Sequence, residues 1–307
     1  MKDDIIKKAY IASFDIEDKS LKDLIIINTK CLVDNYKQRF VFVDSNRLKD
    51  ELIYYRCYGE TPRYNFMLNI ILPVILSNTS IQKGEDESIA LIEKYVKYFK
   101  KDGQLFEYIL ASVLYNGIMH NIIDDKNIGY EELLQKIKEK IIYFSMELDK
   151  QDTIKFQMVR IKVIQKIDNY IDLKVDDYDD NEIISTVLNI LYDIYIEDRQ
   201  VKNDGMLSIK KSILSVLGEE PNLNTDNIDF ILSMAEYIIK LRIYKINKKL
   251  YENNANPRLF INLNEGDNIV DPIFNKVTVI SKNFINNILS IKIKSKSGTH
   301  VLKFKKS

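Results

Sequence analysis

His120 follows Asn116 by four residues and precedes Asp124 by four, so on a helix an amide, an imidazole and a carboxylate fall along one face. That trio suits proton transfer or metal ligation. Zinc asks for four ligands, however, and His120 and His300 are the chain's 2 histidines, so the trio needs distant carboxylates to complete a site. The alternative role for His120 is structural: an imidazole near a helix end, held by the dipole or by Asp124.

The acidic run Asp168, Asp172, Asp176, Asp177, Asp179, Asp180 and Glu182 invites a calcium reading. It fails the EF-hand template: counted from Asp177, Glu182 stands where glycine is needed and Leu188 where glutamate is needed. A solvated loop leading into a negatively charged helix start fits it better. A divalent site built from several helices, with Glu197 and Asp198 as further ligands, stays open as an enzymatic alternative, although no Glu-x-x-His pair supports a di-iron version.

Arginine is scarce, which gives weight to the run Tyr54-Tyr55-Arg56-Cys57-Tyr58-Gly59-Glu60-Thr61-Pro62-Arg63-Tyr64. Arg56 and Arg63 flank Gly59 in an expected loop, a setting that meets phosphate or carboxylate groups or packs as a corner. Arg56, Arg63, Tyr64, Asn116, His120 and Asp124 together form the candidate polar site. With 9 glycines and no Gly-rich phosphate loop or G-x-S-x-G turn, the chain gives no sign of a nucleotide or other cofactor. Cys31 and Cys57 lack CxxC spacing and read as buried free thiols.

Composition bounds the class. The 307 residues are 46% hydrophobic and 29% charged, as in a folded globular chain. Lys2, Asp3 and Asp4 do not open a secretory leader. The apolar window from Met67 to Leu76 contains Asn69 and Pro73 and is far short of the roughly 20 residues a membrane span needs. A reduced, cytoplasmic location follows as the expectation. The formal charge is +0, from 45 basic and 45 acidic residues, but it is segregated: from Asn256 onward nine basic residues face three acidic ones.

The elements that must position these groups change character along the chain. Apolar residues recur at helical spacing up to about Asn253, then alternate after Pro257. Helices are expected over Asp3 to Ala12, Arg47 to Tyr58, Thr61 to Asn78 with a kink at Pro73, Glu85 to Lys100, Gln104 to Ile123, Tyr130 to Glu147, Asp152 to Leu173, Asp180 to Asp198, Gly205 to Leu217 and Asn224 to Asn253. On Asp152 to Leu173 the predicted core stripe is Ile154, Met158, Ile161, Ile164, Ile167 and Ile171. Leu24 to Ile27 reads as strand or helix, and Phe40 to Val43 as a strand. Four strands are expected in the tail, at Leu259 to Leu263, Lys276 to Ile280, Ile288 to Lys294 and Thr299 to Lys305. Alternation puts Leu289, Ile291 and Ile293 on one face and Lys292 and Lys294 on the other.

Gly266, Asp267, Ile269, Pro272, Phe274, Thr278 and Val279 fit a G-D-x-V-x-H-P-x-F-G-x-G-x-V-x run. Over about 40 residues the tail thus resembles the small SH3/Tudor-like barrel found at the C-terminus of superfamily 1 DNA-repair helicases and in CarD-type transcription regulators. Asp271 replaces the usual histidine, and Asn275 and Val277 replace the two later glycines. The resemblance implies a module that binds RNA polymerase or nucleic acid and implies nothing about the helical body.

The sequence therefore predicts a mostly α chain: a multi-helix bundle over 1–255, with a mixed α/β reading open for 1–60, followed by a small basic β module over 256–307. The expected function is a cytoplasmic binding or adaptor protein that contacts a protein or nucleic acid through Lys292, Lys294, Lys296, Lys303 and Lys305, without a cofactor or a membrane. A metal-dependent hydrolase with carboxylates converging in the body, and a structural or assembly protein, are the alternatives.

Overall fold

A computed structural model describes residues 2–60, 68–175, 182–198, 201, 203–252 and 255–305. Asp18 accepts a hydrogen bond from Leu21 N at 3.2 Å and starts a helix through Leu24 to Ile27, so that apolar run is helical. The N-terminal part comprises α1 (Lys2–Ala12), α2 (Lys19–Cys31), the antiparallel hairpin β1 (Leu32–Asn35) and β2 (Phe40–Val43), and α3 (Ser45–Tyr58). The mixed α/β reading of 1–60 is what the chain adopts. Asp44 caps α3 by accepting from Asn46 N and Arg47 N, and Gly59 closes it at φ 67.

Thr61 and Pro62, the expected helix start, lie outside the described residues. Leu68–Ile71 is a 3-10 turn and Pro73 sits in the first turn of the short α4 (Leu72–Ser77). No kink is therefore needed, because proline in the first turn forfeits no intrahelical bond. Next come α5 (Ile81–Tyr98), α6 (Leu105–Asp124), α7 (Tyr130–Tyr143), α8 (Lys150–Ile171), α9 (Ile183–Tyr195), α10 (Asp204–Leu217) and α11 (Ile228–Arg242). From Tyr108 to His120 every residue of α6 is buried, as expected of a helix apolar on all sides, and α5, α7, α8, α9 and α10 surround it.

Two helices differ from the periodicity. On α8 the buried face is Phe156, Val163, Ile167 and Tyr170, while Ile154, Met158 and Ile161 of the predicted stripe are more than half exposed. Two stripes overlap on this helix, and the one carrying aromatic rings turns inward, since Phe and Tyr bury the larger area. The last helix ends at Arg242 rather than Asn253. Tyr244 adopts φ 55, and Lys245 N closes back on Lys240 O, a helix stop normally built on glycine or asparagine.

In the tail, Pro257–Asn262 is a 3-10 turn rather than the expected first strand, and Asn268–Asp271 supplies the strand instead. The sheet is the antiparallel meander β3 (Asn268–Asp271), β4 (Asn275–Ile285), β5 (Ile288–Ser295) and β6 (Gly298–Lys305). Asn286 and Asn287, at φ 51 and 60, make the two-residue turn between Ile285 and Ile288. Ile291, Ile293 and Leu302 face inward, and Lys292 and Lys294 outward. The chain is thus mostly α-helical with a small C-terminal β module.

The sheet rests on α3. Tyr54 donates to Asp271 Oδ2 at 2.6 Å, while Asp271 Oδ1 accepts from Ile273 N and Phe274 N. Tyr54 meets Phe274 edge-on at 5.4 Å, and Tyr58 stacks on His300 at 5.3 Å. The division at residue 255 therefore marks a change of element, while one hydrophobic core runs across it. Asp271, which stands where the SH3/Tudor-like pattern has histidine, is one of the residues that tie the sheet to the helix.

Candidate functional site

On α3, Ile53, Arg56 and Cys57 stand at i, i+3 and i+4 and share one face. The Arg56 guanidinium lies over the Tyr98 ring, 4.6 Å from its centroid, and Tyr98 donates to Leu52 O, so the aromatic platform under Arg56 is fixed. At the end of the helix the Lys303 stem of β6 crosses Gly59 so closely that a Cβ there would sit 2.9 Å from Lys303 Cδ. The positive φ favours glycine at 59, and a side chain there would also have to displace the Lys303 stem.

The third wall is the 3-10 turn. Asn256 accepts from Arg258 N at 3.0 Å, and the turn presents Pro257, Arg258 and Ile261. Between these walls lies a groove of about 810 Å³, in the size range of natural ligand sites. Its floor is apolar: Ile53, Ile261, Phe284, Leu289 and Phe304, with the last two paired across β5 and β6. Arg56, Arg258, Lys303 and Lys305 supply its charged lining, and among the described residues no acidic side chain lines it. The ion pairs of Lys30 and Arg47 with Glu51 use none of these four cations. Burial pushes the half-buried Cys57 thiol above its ordinary value, and Arg258 pulls it back.

The structure thus joins residues from both sequence-derived sets, Arg56 from the polar site and Lys303 and Lys305 from the basic tail. Arg258 completes them; its sequence signal was a rare arginine placed directly after Pro257 at the change of period. Lys292 and Lys294 point from the outer face of β5, and Lys296 lies exposed in the β5–β6 loop, so neither the outer pair nor the loop lysine lines the groove. Arg63 and Tyr64 lie outside the described residues.

Asn116, His120 and Asp124 share α6 but not one environment. Asn116 donates to Ile81 O at 3.3 Å, and its Oδ1 and the His120 Nε2 are buried without a hydrogen-bond partner beside Gly84. Burial pulls His120 down to about 4, helped by Arg242 and Lys140 and opposed by Asp124. Asp124 itself is exposed and paired with Lys2 at 2.9 Å.

Asp198 is exposed and pairs with Lys210, while Asp168 pairs with Lys138, Asp172 with Lys174 and Glu182 with Lys166. Asp176, Asp177, Asp179 and Asp180 lie outside the described residues. Among the described residues, no group of three His, Cys, Asp or Glu side chains is placed to hold a metal ion. Nor is any described helix long and apolar enough to cross a membrane. Comparison with protein-family models, with curated proteins and with solved structures finds no match.

Proposed function

We propose that this chain is a binding or adaptor protein in which the helical body is the scaffold and the C-terminal sheet, seated on α3, forms the partner site. One observation carries the reading: five elements, α3, the 3-10 turn, β4, β5 and β6, contribute an apolar floor and four cations to a single groove that no described acidic residue lines. Cations normally spread over a surface are here gathered around one apolar concavity, which concentrates their attraction for an anionic partner. The resemblance of 265–280 to SH3/Tudor-like binding modules supports the same role, and the paired-free thiols Cys31 and Cys57 are consistent with a reducing compartment.

The test compares cations that line the groove with lysines of β5 that do not. Immobilised wild-type chain, an Arg258→Glu/Lys303→Glu variant and a Lys292→Glu/Lys294→Glu variant are each presented with the same extract, and the retained proteins are identified. The groove variant is expected to lose the specific set that the β5 variant keeps. The reverse pattern would move the partner site to Lys292 and Lys294.

A further inference from the structure

The groove's lining also indicates what kind of partner it holds. Resting on the reading above, we infer that the occupant is an acidic amphipathic helix of a protein partner, its apolar side chains on the groove floor and its carboxylates against Arg56, Arg258, Lys303 and Lys305. The cations come from α3, the 3-10 turn and β6, so they surround the floor from different directions. A single-headed amphiphile such as a fatty acid carries one anionic group for four cations. A peptide with carboxylates on both flanks of an apolar stripe meets all of them.

The floor argues against nucleic acid. Phe284 and Phe304 provide rings, but Ile53, Ile261 and Leu289 fill the space between them, and no Asn, Gln, Ser or Thr among the lining residues is available to read a base edge. The 3-10 turn that walls the groove also exposes Leu259. An apolar surface fringed by positive charge fits a protein segment better than a compact ligand. β6, the edge strand here, already packs against α3, which favours a helix lying in the groove over an added strand.

Fluorescence anisotropy on the full chain tests this with a labelled synthetic 20-residue peptide carrying Leu at i, i+3, i+4 and i+7 and Glu on the flanking positions. A scrambled peptide of equal composition, an oligothymidylate and phosphatidylserine vesicles are measured alongside, and circular dichroism checks that each variant is folded. The patterned peptide is expected to bind, to weaken with added salt, and to bind about tenfold or more weakly to Arg258→Glu/Lys303→Glu while Lys292→Glu/Lys294→Glu leaves it unchanged. Equal binding of the scrambled peptide, or no peptide binding, overturns the inference. If the oligothymidylate or the vesicles bind instead and the groove variant releases them, the acidic-helix assignment falls while the groove remains a binding site. If peptide binding is lost only in the Lys292→Glu/Lys294→Glu variant, both fall.

Discussion

Asp23, on α2, is 8% exposed, and burial pushes its carboxyl up to about 7 from 3.8, with Lys19 and Lys30 pulling the other way. In the folded chain it therefore holds a proton that the unfolded chain has released. Stability from this group is fully present below about pH 3.8 and is lost as the pH rises through about 7, because the ionised form is the one burial penalises. Asp23→Asn, which keeps the shape without the charge, is expected to stabilise the chain by about 1–3 kcal/mol more at pH 8 than at pH 5, where only part of the window from 3.8 to about 7 has been crossed. Thermal unfolding at the two pH values checks this; an equal shift at both would show that ionised Asp23 is no burden. His120 and His300 act in the opposite sense, being held neutral by burial with values of about 4 and about 3, so their contribution is lost as the pH falls through those values. None of this was legible from residue type. The sequence marked His120 by its spacing to Asn116 and Asp124, but burial, not spacing, decides its protonation.

Among the elements, the segment that follows α11 was the hardest to read. Its lysines and isoleucines continue a helical pattern, yet the backbone unwinds after Arg242 and is held by carboxylates distant in sequence. Asp34 Oδ2 accepts from Ile246 N at 2.9 Å and Asn247 N at 3.1 Å, Asp44 Oδ2 from Tyr251 N, and Asp50 Oδ2 from Ala255 N. Three aspartates thus provide the hydrogen bonds that the missing helical turns would have made. Arg242 Nη1 in turn donates to Leu76 O and Asn78 O, satisfying carbonyls at the end of α4. Asp34→Ala is expected to speed hydrogen exchange at Ile246 and Asn247 and to cost about 1–3 kcal/mol, because two amides lose a charged acceptor. Unchanged protection there would show that the segment is held by packing alone. Periodicity located the helices themselves well, since their apolar faces are local. It missed this strap and the face of α8 because both are settled by contacts with distant parts of the chain.

At the scale of the whole molecule, the change of period near Asn256 separated helical from β elements correctly but suggested more independence than the core allows. Tyr54 and Tyr58 of α3 are covered by Phe274, Asp271 and His300 of the sheet. Removing residues from Asn256 onward would expose both tyrosines and leave the Tyr54 hydroxyl without its carboxylate. The truncated body is expected to melt more than about 10 °C below the full chain, since losing several buried aromatic contacts costs multiple kcal/mol. An unchanged melting temperature would mean that the sheet is only laid on the surface. The candidate groove was half legible for the same reason: Arg56, Lys303 and Lys305 could be named from the sequence while Arg258 was not, and their convergence depends on how the sheet meets α3.

The Tyr54–Asp271 hydrogen bond spans 217 positions of sequence. At ribosomal rates of roughly 5–20 residues per second, the helix bearing Tyr54 waits roughly 10–40 s for the residue that completes its surroundings. Through that interval the face of α3 that meets the sheet has no native cover, so a nascent chain long enough to include every helix of the body still lacks a piece of its own core.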